Sequence, residues 1–150
     1  MRTMNRKALI VLSSLAALPA TIAMAADKAV VWSEVSSQYD NAAKTAAQPT
    51  TEAGYARCAG YWSGWRKAID DGALRNDDLG QLPVALKASE ANRLAEAWEA
   101  YLDRADDPDF VSYKRAQTEA NAMLAEGLTG TPESVSAMVK LLAGCTVLPK

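Results

Sequence analysis

Two cysteines, Cys58 and Cys145, and a scatter of carboxylates are the residues of this chain best suited to chemistry. Histidine is absent, which removes Ser-His-Asp and Cys-His nucleophilic sites and His-ligated zinc or haem. No C-x-x-C pair is present to lower a thiol pKa, and no C-x-x-C-H segment to attach haem. Carboxylates gather at Asp70-Asp71 with Asp77-Asp78, and again at Asp103, Asp106, Asp107 and Asp109. Calcium favours such loops, but the D-x-D-x-D-G spacing of an EF-hand is missing, so helix capping and solvated turns explain these residues better. A muramidase-type hydrolase needs one buried, pKa-raised carboxylic acid facing a sugar cleft. Glu90, Glu96, Glu99, Glu119, Glu126 and Glu133 supply the residue type, yet their spacing selects none of them. The sequence therefore names no catalytic, cofactor-binding or metal-binding residue.

The cysteines read as a structural pair. Cys58 sits in an aromatic helical face, and Cys145 follows Met138 and Leu142 at spacings that also turn it inward. In an exported chain, two inward cysteines most simply form a disulfide. Closing a loop of about 88 residues contributes about 4–5 kcal/mol in the chain-entropy account.

Export is expected from residues 1–25. Arg2, Arg6 and Lys7 precede an apolar run from Ala8 to Ile22, which ends in the small-residue site Ala23-Met24-Ala25. That is the layout of a secretory signal peptide cut before Ala26. About 15 apolar residues fall short of the roughly 20 that span a bilayer, so no membrane insertion is expected after cleavage. Residues 26–150 then form a single helical domain, periplasmic or secreted. The chain carries 16 basic and 18 acidic residues; without the three basic residues of the leader, 13 and 18 remain, a net charge of −5. An acidic chain argues against nucleic acid and for a basic protein partner.

The spacing predicts an all-α, compact bundle of about five helices with one disulfide. The first helix runs from about Val31 to Ala47, with Trp32, Val35, Tyr39, Ala42, Ala43 and Ala46 on one face. The second starts near Thr50 or Thr51 and runs to about Asp70, before Gly72. Residues 71–82 are turn-rich, with Leu74, Leu79 and Leu82 pinning them to the core. A third helix spans about Val84 to Ala105. Asp107 caps a fourth, with Pro108 at its first position, running through Phe110, Tyr113, Ala120 and Leu124 to Gly127 or Gly130. Thr131-Pro132-Glu133 starts a fifth, with Val135, Met138, Val139 and Leu142 inward and Gly144 at its end.

Within the second helix, Tyr55, Cys58, Tyr61, Trp62, Trp65 and Ile69 share an arc of about 120°. Such an arc could form a stacking platform for a ligand, but its width is what core burial requires, and the core is the preferred reading. Ala56, Gly60 and Gly64 line up on the opposite side, bordered by Arg57 and Lys67. Mid-helix glycines cost roughly 0.8–1 kcal/mol each, so another backbone should come close. Intramolecular packing is the simpler reading; a partner or self-association face is the other. Gln117 and Asn121 should be boundary residues or a small internal hydrogen-bond pair.

The functional expectation is a small exported non-catalytic protein that binds another envelope or secreted protein, as an inhibitor, immunity protein or accessory subunit. An acid-activated periplasmic holdase, triggered through carboxylates, is the alternative; a cell-wall hydrolase is a distant third. In general character the chain resembles small periplasmic proteins such as acid-stress chaperones and effector-immunity proteins, without a shared motif.

Overall fold

A computed structural model describes residues 29–149, so the expected leader and the cut before Ala26 lie outside the described residues. Six α-helices follow one another: α1 Trp32–Thr45, α2 Glu52–Asp70, α3 Asn76–Gly80, α4 Ala88–Arg104, α5 Phe110–Leu128 and α6 Pro132–Ala143. The described residues contain no strand, and no helix among them is long and apolar enough to cross a membrane. The sixth helix is the short α3, which forms inside the turn-rich stretch. Leu74 and Leu82 flank it and are buried, with Leu79 packed beneath, as the spacing implies.

α2 is the central element and packs against α5, α4 and α6, while α1 lies on α6. Its start and stop follow local rules. The Thr51 hydroxyl accepts from Gly54 N–H at 3.1 Å, satisfying one of the orphan donors of the first turn. At the other end Gly72 takes φ +74°, a left-handed conformation that costs a glycine nothing. Gly72 N–H then donates to Ile69 and Ala73 N–H to Ala68, the double bond of a Schellman stop.

Two boundaries depart from the sequence expectation. The helix expected over Val84–Ala105 is broken: Val84–Leu86 is one 3₁₀ turn, Lys87 is extended (ψ 159°), and α4 begins at Ala88. The buried Trp65 indole donates to the Leu86 carbonyl at 2.9 Å, taking the acceptor that a continuous helix would offer to its own backbone. The cap of α5 is Asp109, not Asp107, so Pro108 precedes the helix instead of opening it. Asp109 Oδ1 accepts from Ser112 N–H at 2.9 Å. These Ser112 hydrogen bonds hold its carboxyl below the ordinary aspartate range. Either aspartate satisfies the rule of composition, and the one whose carboxylate reaches the third backbone N–H wins.

The aromatic arc of α2 is core. Trp62 and Trp65 are fully buried with Trp98 of α4, and Cys58 and Tyr61 are almost so; Tyr55 and Ile69 are half-buried at its margin. Ala43 is exposed, so the buried face of α1 is narrower than its alanines imply and rests on Trp32, Val35 and Tyr39. Cys58 and Cys145 are joined, with Cα atoms 5.3 Å apart, at a separation of 87 positions in the chain.

The backbone of Cys145 is engaged as fully as its sulfur. Its carbonyl accepts from Trp62 Nε1 at 2.8 Å and from Trp98 Nε1 at 3.0 Å. Its own N–H donates to the Leu142 carbonyl at 2.9 Å. A carbonyl has two lone pairs, and two buried indoles occupy both. Leaving a buried donor unpaired costs about 1–3 kcal/mol, so losing the carbonyl should be worse than losing the sulfur bridge alone. We expect Cys58→Ser and Cys145→Ser each to lower the melting temperature, and the double variant to be little worse than either. Each kcal/mol lost corresponds to roughly 3–5 °C in a domain of this size. Truncation after Gly144, which removes the bridge and the carbonyl together, should fall further, by several kcal/mol or to an unfolded chain. Thermal melts of the four proteins check the order; a truncation no worse than Cys145→Ser would show that the indole bonds add nothing.

Candidate functional site

Beside the apolar core, the largest polar cluster described lies where α2, α4 and α5 meet. Arg66 of α2 donates from Nη2 to both oxygens of Glu99 on α4, at 3.0 and 3.1 Å. Tyr113 of α5 places its hydroxyl 3.1 Å from Glu99 Oε1 and 3.1 Å from Ser63 Oγ. Gln117 Nε2 donates to the same Ser63 oxygen at 2.8 Å. The phenol has one proton and the carboxylate can only accept, so that proton belongs to Glu99 and Ser63 donates back to the phenol oxygen. The result is a one-way chain from Gln117 through Ser63 and Tyr113 to Glu99, closed by Arg66. Burial, offset by Ser63 but reinforced by Glu99, raises the Tyr113 pKa above the usual tyrosine value, so the phenol keeps the proton this chain requires.

This cluster clasps three helices and presents no reacting group. Both oxygens of Glu99 are held by Arg66, and the Ser63 hydroxyl is buried and bonded on two sides. Gln117 belongs to the internal network, one of the two roles its position suggested. A second carboxylate contact joins Tyr61 to Glu119 on α5, the hydroxyl donating to Oε2 at 3.1 Å. Burial, then Glu119, raises the Tyr61 pKa. Among the described residues no group of three or more histidine, cysteine, aspartate or glutamate side chains could hold a metal ion.

The Ala56–Gly60–Gly64 strip is not an outer surface, because α5 of the same chain covers it. A Cβ on Gly60 would collide with the Tyr113 carbonyl oxygen, and would lie 2.8 Å from Ala116 Cβ and 2.9 Å from Gln117 N. One on Gly64 would lie 2.5 Å from Ala120 Cβ and 3.3 Å from the Gln117 carbonyl. Ala116 and Ala120 are themselves buried, so small residues face small residues along the seam. A partner or dimer face built on Ala56, Gly60 and Gly64 is thereby corrected to an intrachain contact. The bordering cations go separate ways: Lys67 is exposed and pairs with Asp71 at 2.7 Å, while Arg57 lines a groove with Lys140 of α6. Gly127 is a third close approach, with Val135 N only 2.8 Å from where its Cβ would stand. Its position at the end of α5 let it pass as a stop signal.

The α4–α5 corner carries two of the exposed large apolar side chains, the others being Val31, Val84 and Val147. Phe110 and Val111, at the start of α5, are 50% and 70% exposed. Asp103, Asp106 and Asp107 stand exposed on the approach to them. A groove of about 570 Å³ opens beside this corner, walled by Glu52, Tyr101, Arg104, Asp106 and Asp107. Tyr101 donates to Glu52 Oε1 at 3.3 Å, and its ring meets Tyr55 edge-on at 5.2 Å and Trp98 at 6.4 Å. An aromatic ladder therefore runs from the core to this groove, holding Tyr101 in place without relying on loop order.

The seam gives a sharp test, because two effects oppose each other. Alanine at a mid-helix glycine gains about 1 kcal/mol in propensity, whereas overpacking costs about 1–3 kcal/mol. At Gly60 the colliding atoms are largely backbone and cannot swing aside, so Gly60→Ala should lower stability, and Gly60→Leu or Gly64→Leu should lower it further. Size-exclusion behaviour of whatever remains folded should not change. Denaturant melts decide it; a more stable Gly60→Ala would mean that α5 does not lie against α2 as described.

No known protein family matches this chain, and neither a curated protein nor a solved structure is significantly similar to it.

Proposed function

We propose that this is a small exported, non-catalytic helical protein that acts by binding another protein, of the inhibitor, immunity or accessory type, in the periplasm or outside the cell. The observation that carries the reading is the corner at the start of α5, where Phe110 and Val111 stand in solvent beside an acidic groove. Single exposed apolar residues are ordinary. Two consecutive large ones, following the exposed Asp106 and Asp107 by a few residues in the chain, set apolar side chains beside charged ones, as a recognition surface does. The acidic side chains favour a basic partner and repel an acidic one. Export is supported by the leader-like residues 1–25 and by the Cys58–Cys145 bond, which persists in oxidising compartments.

The non-catalytic part of the proposal is supported by the engagement of Glu99, the most enclosed of the carboxylates considered as a hydrolase acid: Arg66 and Tyr113 occupy it. One observation favours the acid-activated holdase as a second reading. The tie between α2 and α4 runs through the Arg66–Glu99 pair, about a quarter exposed on each side (25% and 27%), so part of the bundle is held by an ionic contact within reach of solvent.

The test uses oxidised protein beginning at Ala26 as bait in envelope extract, beside a Phe110→Ser/Val111→Ser variant. The wild type should retain one saturable partner, less at high salt, and the variant should lose it without a change in melting temperature. Retention unaffected by the variant would overturn the corner as the binding face. Lysis of peptidoglycan in a gel would overturn the non-catalytic reading, and protection of clients only at pH 2–3 would favour the holdase.

A further inference from the structure

Three basic residues that are far apart in the chain come to one furrow, lined by residues other than those of the acidic groove. Arg57 of α2 and Lys140 of α6 flank a depression of about 420 Å³ whose floor is Pro49, Leu141 and Gly144. Lys140 also borders a second depression, of about 530 Å³, shared with Lys44 and Asn41 of α1. The two depressions adjoin at Lys140, which lines both, and together they are termed the furrow. No aspartate or glutamate lines either part, whereas the acidic groove at the α4–α5 corner is walled by three carboxylates. None of Arg57, Lys140 and Lys44 makes an ion pair among the described residues; the pairs there belong to Arg66, Lys67, Arg75 and Arg93. Tyr61, which also lines the furrow, donates its hydroxyl to the Glu119 carboxylate.

Unpaired, converging cations are unexpected in a chain whose residues 26–150 carry 18 acidic groups against 13 basic ones. Lys44 and Lys140 stand in the last turns of α1 and α6 and complement the helix dipoles. That role leaves their ammonium groups open to a further anion, and it does not account for Arg57, which lies in the first half of α2. A guanidinium presents a fork that matches a carboxylate.

From this charge pattern we propose that the furrow over Arg57, Lys140 and Lys44 is a docking site for an acidic, extended peptide segment of another protein. Two or more carboxylates of the segment meet the cations, and small apolar side chains between them lie on Pro49, Leu141 and Gly144. The apolar floor distinguishes this occupant from a nucleic acid, for which three cations on an acidic protein provide too little neutralisation. The site is separate from the acidic corner, and the two proposals stand or fall independently. With charge pairs formed at the surface, binding should be modest and steeply dependent on salt.

The experiment titrates the oxidised full domain, labelled with ¹⁵N, with an eight-residue peptide of alternating glutamate and leucine. Its glutamine counterpart and a short single-stranded oligonucleotide are run in parallel. The acidic peptide should shift the amide resonances of Gly54, Arg57, Tyr61, Leu141 and Gly144 saturably. The affinity should fall at least tenfold in an Arg57→Glu/Lys140→Glu variant whose melting temperature is unchanged. The single variants Arg57→Gln and Lys140→Gln should each weaken binding by a smaller factor, which keeps the test valid if the double variant folds poorly. Binding of the glutamine peptide as tight as that of the glutamate peptide, shifts confined to other faces, no saturable binding at low salt, or tighter binding of the oligonucleotide would each overturn the proposal.

Discussion

Most of this fold depends on what is attached to one residue near its C-terminal end. Cys145 is bonded through sulfur to Cys58, and its carbonyl takes two indole N–H groups, from Trp62 and Trp98. Tryptophan brings the largest apolar surface of any side chain into a core, but its N–H must find an acceptor there. Carbonyls in helix interiors already accept from the i+4 amide and point along the helix axis, so a carbonyl at a break is the readier acceptor for an indole from a neighbouring helix. The chain meets the demand with carbonyls at breaks: Cys145, just beyond the end of α6, serves two indoles, and Leu86, in the 3₁₀ turn before α4, serves Trp65. The ends of helices are therefore fixed by the needs of the core, and the bridge to Cys58 holds the most heavily used acceptor in position.

Around this anchor, α2 is packed by two different means on its two sides. The aromatic side fills space against α4 and α6 with rings. The opposite side removes side chains altogether, so that Gly60 and Gly64 admit the backbone of α5. Close approach brings Ser63, Tyr113 and Gln117 within hydrogen-bonding range and lets the phenol reach Glu99 on a third helix. The polar clasp is thus a consequence of the glycine seam. Together these contacts use the polar side chains of the interior for structure, while the surface carries an acidic groove at the α4–α5 corner and a basic one over Arg57 and Lys140.

Local signals were legible in the sequence where the cause is local. The Thr51 start and Gly72 stop of α2 follow from backbone needs of a few residues, and so does the Thr131-Pro132 start of α6. The inward cysteines and the aromatic arc were legible because helical spacing places them on one face. The break at Lys87 was not, since its cause is an indole 21 residues away. Gly60 and Gly64 announced a close neighbour but not which one; α5 became identifiable only with Ala116 and Ala120 opposite them. The exposure of Phe110 follows from its spacing, since it lies about 80° from the line of Ala116, Ala120 and Leu124 at 100° per residue. The furrow could not be read at all, because Lys44, Arg57 and Lys140 share no segment and meet only when α1, α2 and α6 come together.

The claim that Cys145 is the fastening point of the core is tested most directly by the exchange of indole N–H protons in the oxidised and reduced protein, followed by NMR. In the oxidised protein the Trp62 and Trp98 indole protons should exchange only with global unfolding, as slowly as the most protected backbone amides. On reduction both should lose protection together, by the same factor, because they share one acceptor. Fast exchange of either indole in the oxidised protein, or reduction that frees one and leaves the other protected, would contradict the account.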